Sequence, residues 1–272
     1  MSLSWVDGQP AAAIAADDRG LAYGDGLFET LRVVRGQPRL LERHLQRLAT
    51  GCQRLQLNAD LAAIRQQLED FAAQLGEGVC KLILTRGSGR RGYGPDLRAA
   101  PRCLLQGSPA PVWPTAHAQG VRLYPCTVRL AWQPLLAGLK HLNRLEQVLA
   151  RAEWQDGLHA EGLMCDPAGH VIEGVFSNLF LGRAGELWTP DLGRCGVAGV
   201  MRAEILARAR TLGMPVQVRE IGLEAFLQAD EVFVCNSLYG LWPVTAFREQ
   251  IWPVGPLTRQ LQGALAGLLE AS

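Results

Sequence analysis

Three prolines in the eight residues Gly107-Ser108-Pro109-Ala110-Pro111-Val112-Trp113-Pro114 divide this 272-residue chain. Each removes a ladder donor and fixes φ, so the stretch suits neither a central strand nor a helix interior and reads as a stiff linker. The expected organisation is therefore an N-terminal domain over 1–108, a linker over 109–116 and a C-terminal domain over 117–272. The length is enough for two cores. With 48% hydrophobic and 19% charged residues the composition is that of a globular protein, and no apolar run approaches the roughly 18 residues of a membrane span. The start Met1-Ser2-Leu3-Ser4-Trp5 lacks the basic residues and apolar stretch of a secretion signal, so the cytoplasm is the expected compartment.

Hydrophobic spacing sets the elements on either side of the linker. Val6-Asp7-Gly8-Gln9 predicts a short hairpin that runs into the polar turn Asp17-Asp18-Arg19-Gly20. Leu27 to Val34 predicts a strand after the turn Tyr23-Gly24-Asp25-Gly26, and Arg35-Gly36-Gln37-Pro38 closes a second hairpin. Leu41, Leu45, Leu48, Cys52 and Leu55 recur at helical spacing, as do Leu61, Ile64, Leu68, Phe71 and Leu75. Strands over Val79 to Thr85 and Cys103 to Gln106 flank the glycine-rich basic loop Arg86-Gly87-Ser88-Gly89-Arg90-Arg91-Gly92-Tyr93-Gly94, which suits an anion or is a mobile surface loop.

Beyond the linker, a strand over Val121 to Val128 precedes a helix marked by Leu142, Leu145, Val148, Leu149 and Ala152, with Asn143 and Glu146 spaced as its capping box. Strand-like runs follow at Gly162 to Cys165, His170 to Ile172, Phe176 to Leu181, Leu187 to Thr189 and Glu231 to Cys235. Helices are expected over Val200 to Leu212 and Leu257 to Leu269. This mixture places the chain in the α/β (α+β) class.

Seven cysteines, an odd number without a Cys-x-x-Cys pair, argue against a disulfide framework and a zinc site and read as small core residues. A net charge of +1 gives no reason to expect nucleic acid or a membrane surface as partner, which leaves a small-molecule substrate. No metal is expected.

The chain has two lysines, Lys81 and Lys140; its other side-chain cations are arginine and histidine. Lysine can lose a proton, act as a base or form a Schiff base with a carbonyl, none of which arginine does. Lys140 lies where a loop turns into a helix, whereas Lys81 reads as an edge or surface charge. Three features complement a reactive lysine whose partner is pyridoxal 5'-phosphate. The helix start Gly199-Val200-Met201 offers backbone amides and a dipole end to a phosphate. Asn236 and Ser237 end a strand with an amide and a hydroxyl, and Glu173 is the one carboxylate between Asp166 and Glu186, available to a pyridinium nitrogen.

Lys140 with Asn143, Glu173 followed by Ser177-Asn178-Leu179-Phe180, Gly199-Val200-Met201-Arg202, Gly24-Asp25-Gly26-Leu27-Phe28-Glu29-Thr30 and His44-Leu45-Gln46-Arg47-Leu48 resemble the motifs of the fold type IV pyridoxal-phosphate enzymes. The resemblance implies a smaller N-terminal α/β domain, a larger C-terminal domain, the cofactor between them and a homodimer. It assigns Lys140 the cofactor's aldehyde, and Arg47, otherwise a solvated helix charge, the phosphate. Val200, Met201, Asn236 and Ser237 join Arg47 there, acting first through backbone amides, and Glu173 takes the ring nitrogen.

Within that family, Gly138 to Glu146 and the Arg86 to Tyr93 loop resemble the branch that acts on 4-amino-4-deoxychorismate. That implies elimination to 4-aminobenzoate and pyruvate in folate synthesis, with Lys140 as base. Thr30, otherwise a plain strand threonine, would assist the leaving group, and Arg90, Arg91, Tyr93 and Asn143 would bind substrate. The rival readings are a D-amino-acid or branched-chain aminotransferase and a protein that binds the cofactor without catalysis.

Overall fold

In the computed structural model, which describes residues 3–11 and 13–269, the chain forms two compact units. One holds residues up to Pro111 together with Leu139–Asn143; the other holds Val112–Gly138 and Arg144–Leu268. The short return to the first unit carries Lys140.

The first unit begins with the hairpin β1 (Ser4–Val6) and β2 (Gln9–Pro10) and a short helix α1 (Arg19–Tyr23). The sequence suggested only a polar turn for α1. It is helical because the Asp18 carboxylate accepts the Gly20 N–H at 2.8 Å, satisfying a first-turn donor. Next come β3 (Gly26–Val34), β4 (Gln37–Pro38), α2 (Leu41–Leu55), α3 (Leu61–Leu75), β5 (Gly78–Thr85) and β6 (Arg102–Ser108). The strands make one antiparallel sheet in the order β2-β1-β6-β5-β3-β4.

Alternation along β3 sends Leu27, Glu29, Leu31 and Val33 to one face and Phe28, Thr30 and Arg32 to the other. The first face packs under α2 and α3, where Leu45, Leu48, Ile64, Leu68 and Phe71 meet Leu82, Leu84 and Leu105. Emptying a buried site the size of Phe71 costs roughly 3–5 kcal/mol. Asp60 caps α3 by accepting the N–H groups of Ala62 and Ala63 at 3.0 Å each. Lys81 is exposed as expected, but β5 lies inside the sheet between β6 and β3, so Lys81 stands on a sheet face and not at an edge.

The second unit carries a 3-10 turn at Thr115–Gln119, then β7 (Val121–Arg129), α4 (Leu145–Ala152), β8 (His159–Cys165), β9 (Val171–Gly174), β10 (Asn178–Arg183) and β11 (Glu186–Pro190). It continues through α5 (Val200–Thr211), β12 (Val216–Arg219), α6 (Leu223–Leu227), β13 (Glu231–Asn236), β14 (Gly240–Phe247), β15 (Gln250–Ile251) and α7 (Pro256–Leu265). Its mixed sheet runs β12-β11-β10-β13-β14-β7-β8-β9, with β15 on β14. Leu123, Leu179, Leu181, Phe226, Val234 and Phe247 centre one core cluster of this unit.

The expected start and capping box of α4 are corrected. The helix begins at Leu145 after Arg144, with no side-chain cap, because Asn143 Nδ2 instead donates to Gly24 O at 3.3 Å and Glu146 accepts the Ala131 N–H at 2.7 Å. Its apolar stripe does not enter the core of its unit: Leu145, Val148 and Leu149 are 75%, 59% and 60% exposed. At the other end of the chain, α7 stops at Leu265, short of the expected Leu269, where Ala266 turns to extended backbone. All seven cysteines are buried and free, and burial pushes the Cys80 thiol up to about 12, which suits an inert core residue. Among the described residues no helix is long and apolar enough to cross a membrane, and no cluster of His, Cys, Asp and Glu could hold a metal ion.

Candidate active site

The side chains that the sequence singled out fall into two groups, one in each unit. In the first unit, Leu139–Asn143 lies along β3, with the Phe28 N–H donating to Lys140 O at 2.9 Å and the Leu142 N–H to Gly26 O at 3.1 Å. These bonds fix the lysine's backbone. Its half-buried side chain places Nζ 4.3 Å from the centroid of the Phe28 ring, and Lys81 Nζ stands 5.6 Å from the same ring. A cation over an aromatic face is held by the ring's quadrupole. Thr30 lies on the same face of β3 as Phe28, half-buried and opposite Lys81 in the strand register.

On the other face of β3, Glu29 is buried against α2. It accepts Arg47 Nε at 2.8 Å, and its second oxygen is 2.6 Å from His44 Nδ1. Burial raises its carboxyl, but the charge and hydrogen bonds of Arg47 and then His44 outweigh this and bring it down to about 2. His44 is pushed below its ordinary value by burial and by the charges of Arg47 and Lys140, against the pull of Glu29. His44 Nε2 is buried with no partner among the described residues.

In the second unit Glu173, at 4% exposure on β9, accepts the Val197 N–H at 2.8 Å. Asn178 Nδ2 donates to Val197 O at 2.8 Å and reaches the same Glu173 oxygen at 3.5 Å. Arg144 is held below its ordinary value by burial, with the charges of Glu173 and Glu146 pulling it back up. Gly199 precedes α5 because any larger residue would clash: a Cβ there would come 1.8 Å from Asn178 Oδ1. The first-turn amides of Val200 and Met201 therefore meet no side-chain cap. Asn236 does not present its amide outward, since its Oδ1 accepts the N–H groups of Leu238 and Tyr239 and its Nδ2 donates to Phe176 O at 3.3 Å. Ser237 follows in the same turn, half-buried.

Arg90, Arg91 and Tyr93 are exposed in the loop after β5, and Asn143 is exposed beside Gly24. Glu29 and Glu161 are among the buried carboxylates that were not singled out from the sequence. Glu29 had a signal, a charge at an inward position of an alternating strand. Glu161 lies beneath residues 174–177, accepting N–H groups from Gly162 at 2.8 Å and Val175 at 3.0 Å. Burial raises it to about 7 against the lowering bonds from Ser177 and the backbone.

Residues 26–247 match the family model described as amino-transferase class IV. The crystal structure of 4-amino-4-deoxychorismate lyase from Pseudomonas aeruginosa is similar at a TM-score of 0.96 and 62% identity, covering 97% of this chain and 98% of that one. The aminodeoxychorismate lyase of Vibrio harveyi is 37% identical, over 96% of this chain and 98% of that protein. A branched-chain amino acid aminotransferase from Escherichia coli, at 23% identity and a TM-score of 0.85 over 99% of this chain and 94% of that one, shares the fold.

Proposed function

The chain belongs to the class IV aminotransferase family, and from that membership we propose that it is a pyridoxal 5'-phosphate-dependent lyase converting 4-amino-4-deoxychorismate to 4-aminobenzoate and pyruvate. The observation that carries the reading is the likeness, over nearly the whole chain, to the lyase from Pseudomonas aeruginosa, which far exceeds that to the aminotransferase from Escherichia coli.

The residues present fit the cofactor. A lysine fixed by backbone bonds suits an aldehyde, and the buried His44 Nε2 beside Glu29 and Arg47 is a polar group in want of a partner. The Gly199 pinch leaves the first turn of α5 uncapped for an anion. When bound, pyridoxal phosphate supplies an electron sink for the substrate carbon that bears the amine. Lys140 Nζ would hold the aldehyde carbon and take the proton from that amine-bearing carbon. Glu173, held in place by the Val197 N–H and Asn178, would hold a proton on the ring nitrogen. Arg47, Val200, Met201, Asn236 and Ser237 would bind the phosphate, Asn236 and Ser237 through the turn that they form. The Thr30 hydroxyl would give a proton to the departing enolpyruvyl group, and aromatisation of the product drives the elimination. Arg90, Arg91, Tyr93 and Asn143 would receive the substrate.

The working form is a cytoplasmic homodimer in this reading. The exposed stripe Leu145, Val148 and Leu149 supports it, since a contiguous apolar helix face marks a surface that a partner covers.

Incubation of the loaded protein with aminodeoxychorismate and no added keto acid tests the activity. Many turnovers giving equimolar 4-aminobenzoate and pyruvate are expected, because the amine stays on the product. Sustained turnover only with an added keto acid would make the protein an aminotransferase.

A further inference from the structure

The loop between Arg86 and Gly94 is fixed from beneath by one guanidinium. Arg19, at 5% exposure, opens α1 and sends its side chain under the loop. Its Nε donates to Asp25 at 2.9 Å, while its two terminal nitrogens donate to Gly92 O at 2.9 Å and Tyr93 O at 3.2 Å. Its own N–H donates to Gly87 O at 2.9 Å, so the arginine grips the loop at both ends. The Gly92 N–H donates to the Tyr23 hydroxyl at 3.1 Å, and the Tyr23 and Tyr93 rings lie 5.5 Å apart. Asp25 also accepts from Arg86, whose remaining donors reach Leu55 O and Gln56 O on the end of α2. Burial raises the Asp25 carboxyl, but the bonds and charges of Arg86 and Arg19 hold it below the usual range, so it stays a full anion between them. At Gly89 the backbone lies directly on the arginine stem, where a Cβ would be 2.8 Å from Arg19 Cδ. Between these fixed points Arg90 and Arg91 are exposed.

We propose that Arg19 is a positioning residue for substrate recognition: by holding the Gly92 and Tyr93 carbonyls it presents Arg90, Arg91 and Tyr93 to the carboxylates of a dianionic substrate in one prepared arrangement. This rests on the reading, given above, that the loop receives the substrate. A glycine-rich loop free to move would have to be ordered at each binding event, and ordering rotamer-rich side chains costs affinity. The planar guanidinium reaches one carboxylate and two carbonyls at once, which the single ammonium of lysine does not reproduce.

The test uses Arg19→Lys and Arg19→Gln in the cofactor-loaded full chain. The expected result is a KM for aminodeoxychorismate about tenfold higher with kcat within about twofold. The cofactor's affinity and absorbance should stay unchanged, and amide hydrogen exchange should quicken over residues 87–93 but not along β5. Tyr23→Phe, which removes the acceptor for Gly92, should move KM the same way by less and keeps the question answerable if the arginine variants do not fold. A KM unchanged in folded Arg19 variants, in a protein where Arg90→Ala with Arg91→Ala raises it, would overturn the role of Arg19 alone. Loss of kcat and cofactor affinity together with thermal stability would also overturn it, as the mark of a general structural part. A KM indifferent to Arg90→Ala with Arg91→Ala would instead overturn the loop's reading, and the proposal with it.

Discussion

Glu29 and Arg47 are joined by two hydrogen bonds, Nε to one carboxylate oxygen at 2.8 Å and a terminal nitrogen to the other at 2.5 Å, inside the first unit. The folded carboxyl stands near 2 against an ordinary 4.5, so the pair's contribution to stability is fully present above pH 4.5 and is lost as the pH falls towards 2. His44, also depressed, adds a loss that begins below its ordinary 6.5. Glu29→Gln should therefore cost about 3 kcal/mol at pH 7, since it breaks an ion pair whose carboxylate is buried. It should also flatten the stability curve between pH 4.5 and 2. Urea midpoints measured across that range check both, and parallel acid limbs in the two proteins would contradict the assignment.

The same ion pair aims Arg47, so its proposed phosphate contact is separable from the charge of α2. Arg47→Ala should raise the dissociation constant for pyridoxal phosphate at least about tenfold by removing a charge-assisted contact, whereas Arg43→Ala should leave it unchanged. Titration of the unloaded protein followed by absorbance compares them. Equal effects would return Arg47 to a helix charge.

Lys140 and Lys81 both stand over Phe28, at 4.3 and 5.6 Å from its ring, so proximity to that ring does not by itself choose between them. They differ in backbone setting, since Lys140 lies in the segment bonded to Gly26 and Phe28 outside the regular strands. Borohydride reduction of the loaded protein followed by peptide mapping should place the pyridoxyl group on Lys140, and Lys140→Ala should take up none. A label on Lys81 would reverse the assignment.

What was legible in the sequence follows from which forces are local. The periods of α2, α3 and β3 gave their elements and inward faces, because period and burial coincide when an element packs within its own domain. The α4 stripe has the same period, yet its residues are exposed in their own unit, since spacing says that a face is apolar and not what covers it. β12 was missed because Val216–Arg219 is a mostly exposed outer strand with little apolar signal. β14 was missed because Pro243 argues against an inner strand. At the site, Lys140 and Glu173 stood out by residue type, as a rare lysine and a lone carboxylate. Their supports did not, since the Phe28 N–H that meets Lys140 O and the Val197 N–H that meets Glu173 are partners that only the folded chain brings near.

Glu173 differs from Glu29 in what surrounds it. Glu29 is paired with the Arg47 side chain. Glu173 instead accepts the Val197 N–H at 2.8 Å and lies 3.5 Å from the Asn178 amide, contacts that fix its direction. Such a group suits the task of holding a proton on a ring nitrogen. Glu173→Gln keeps the size and the acceptor for Val197 but removes the charge, so the nitrogen would lose its proton while the cofactor stays bound. Turnover should fall at least tenfold, a barrier increase of about 1.4 kcal/mol or more, with the cofactor content and the unfolding midpoint close to those of the parent protein. Steady-state rates beside a measured cofactor stoichiometry decide the matter. A folded, fully loaded variant with near-normal turnover would show that Glu173 only shapes the loop between β9 and β10.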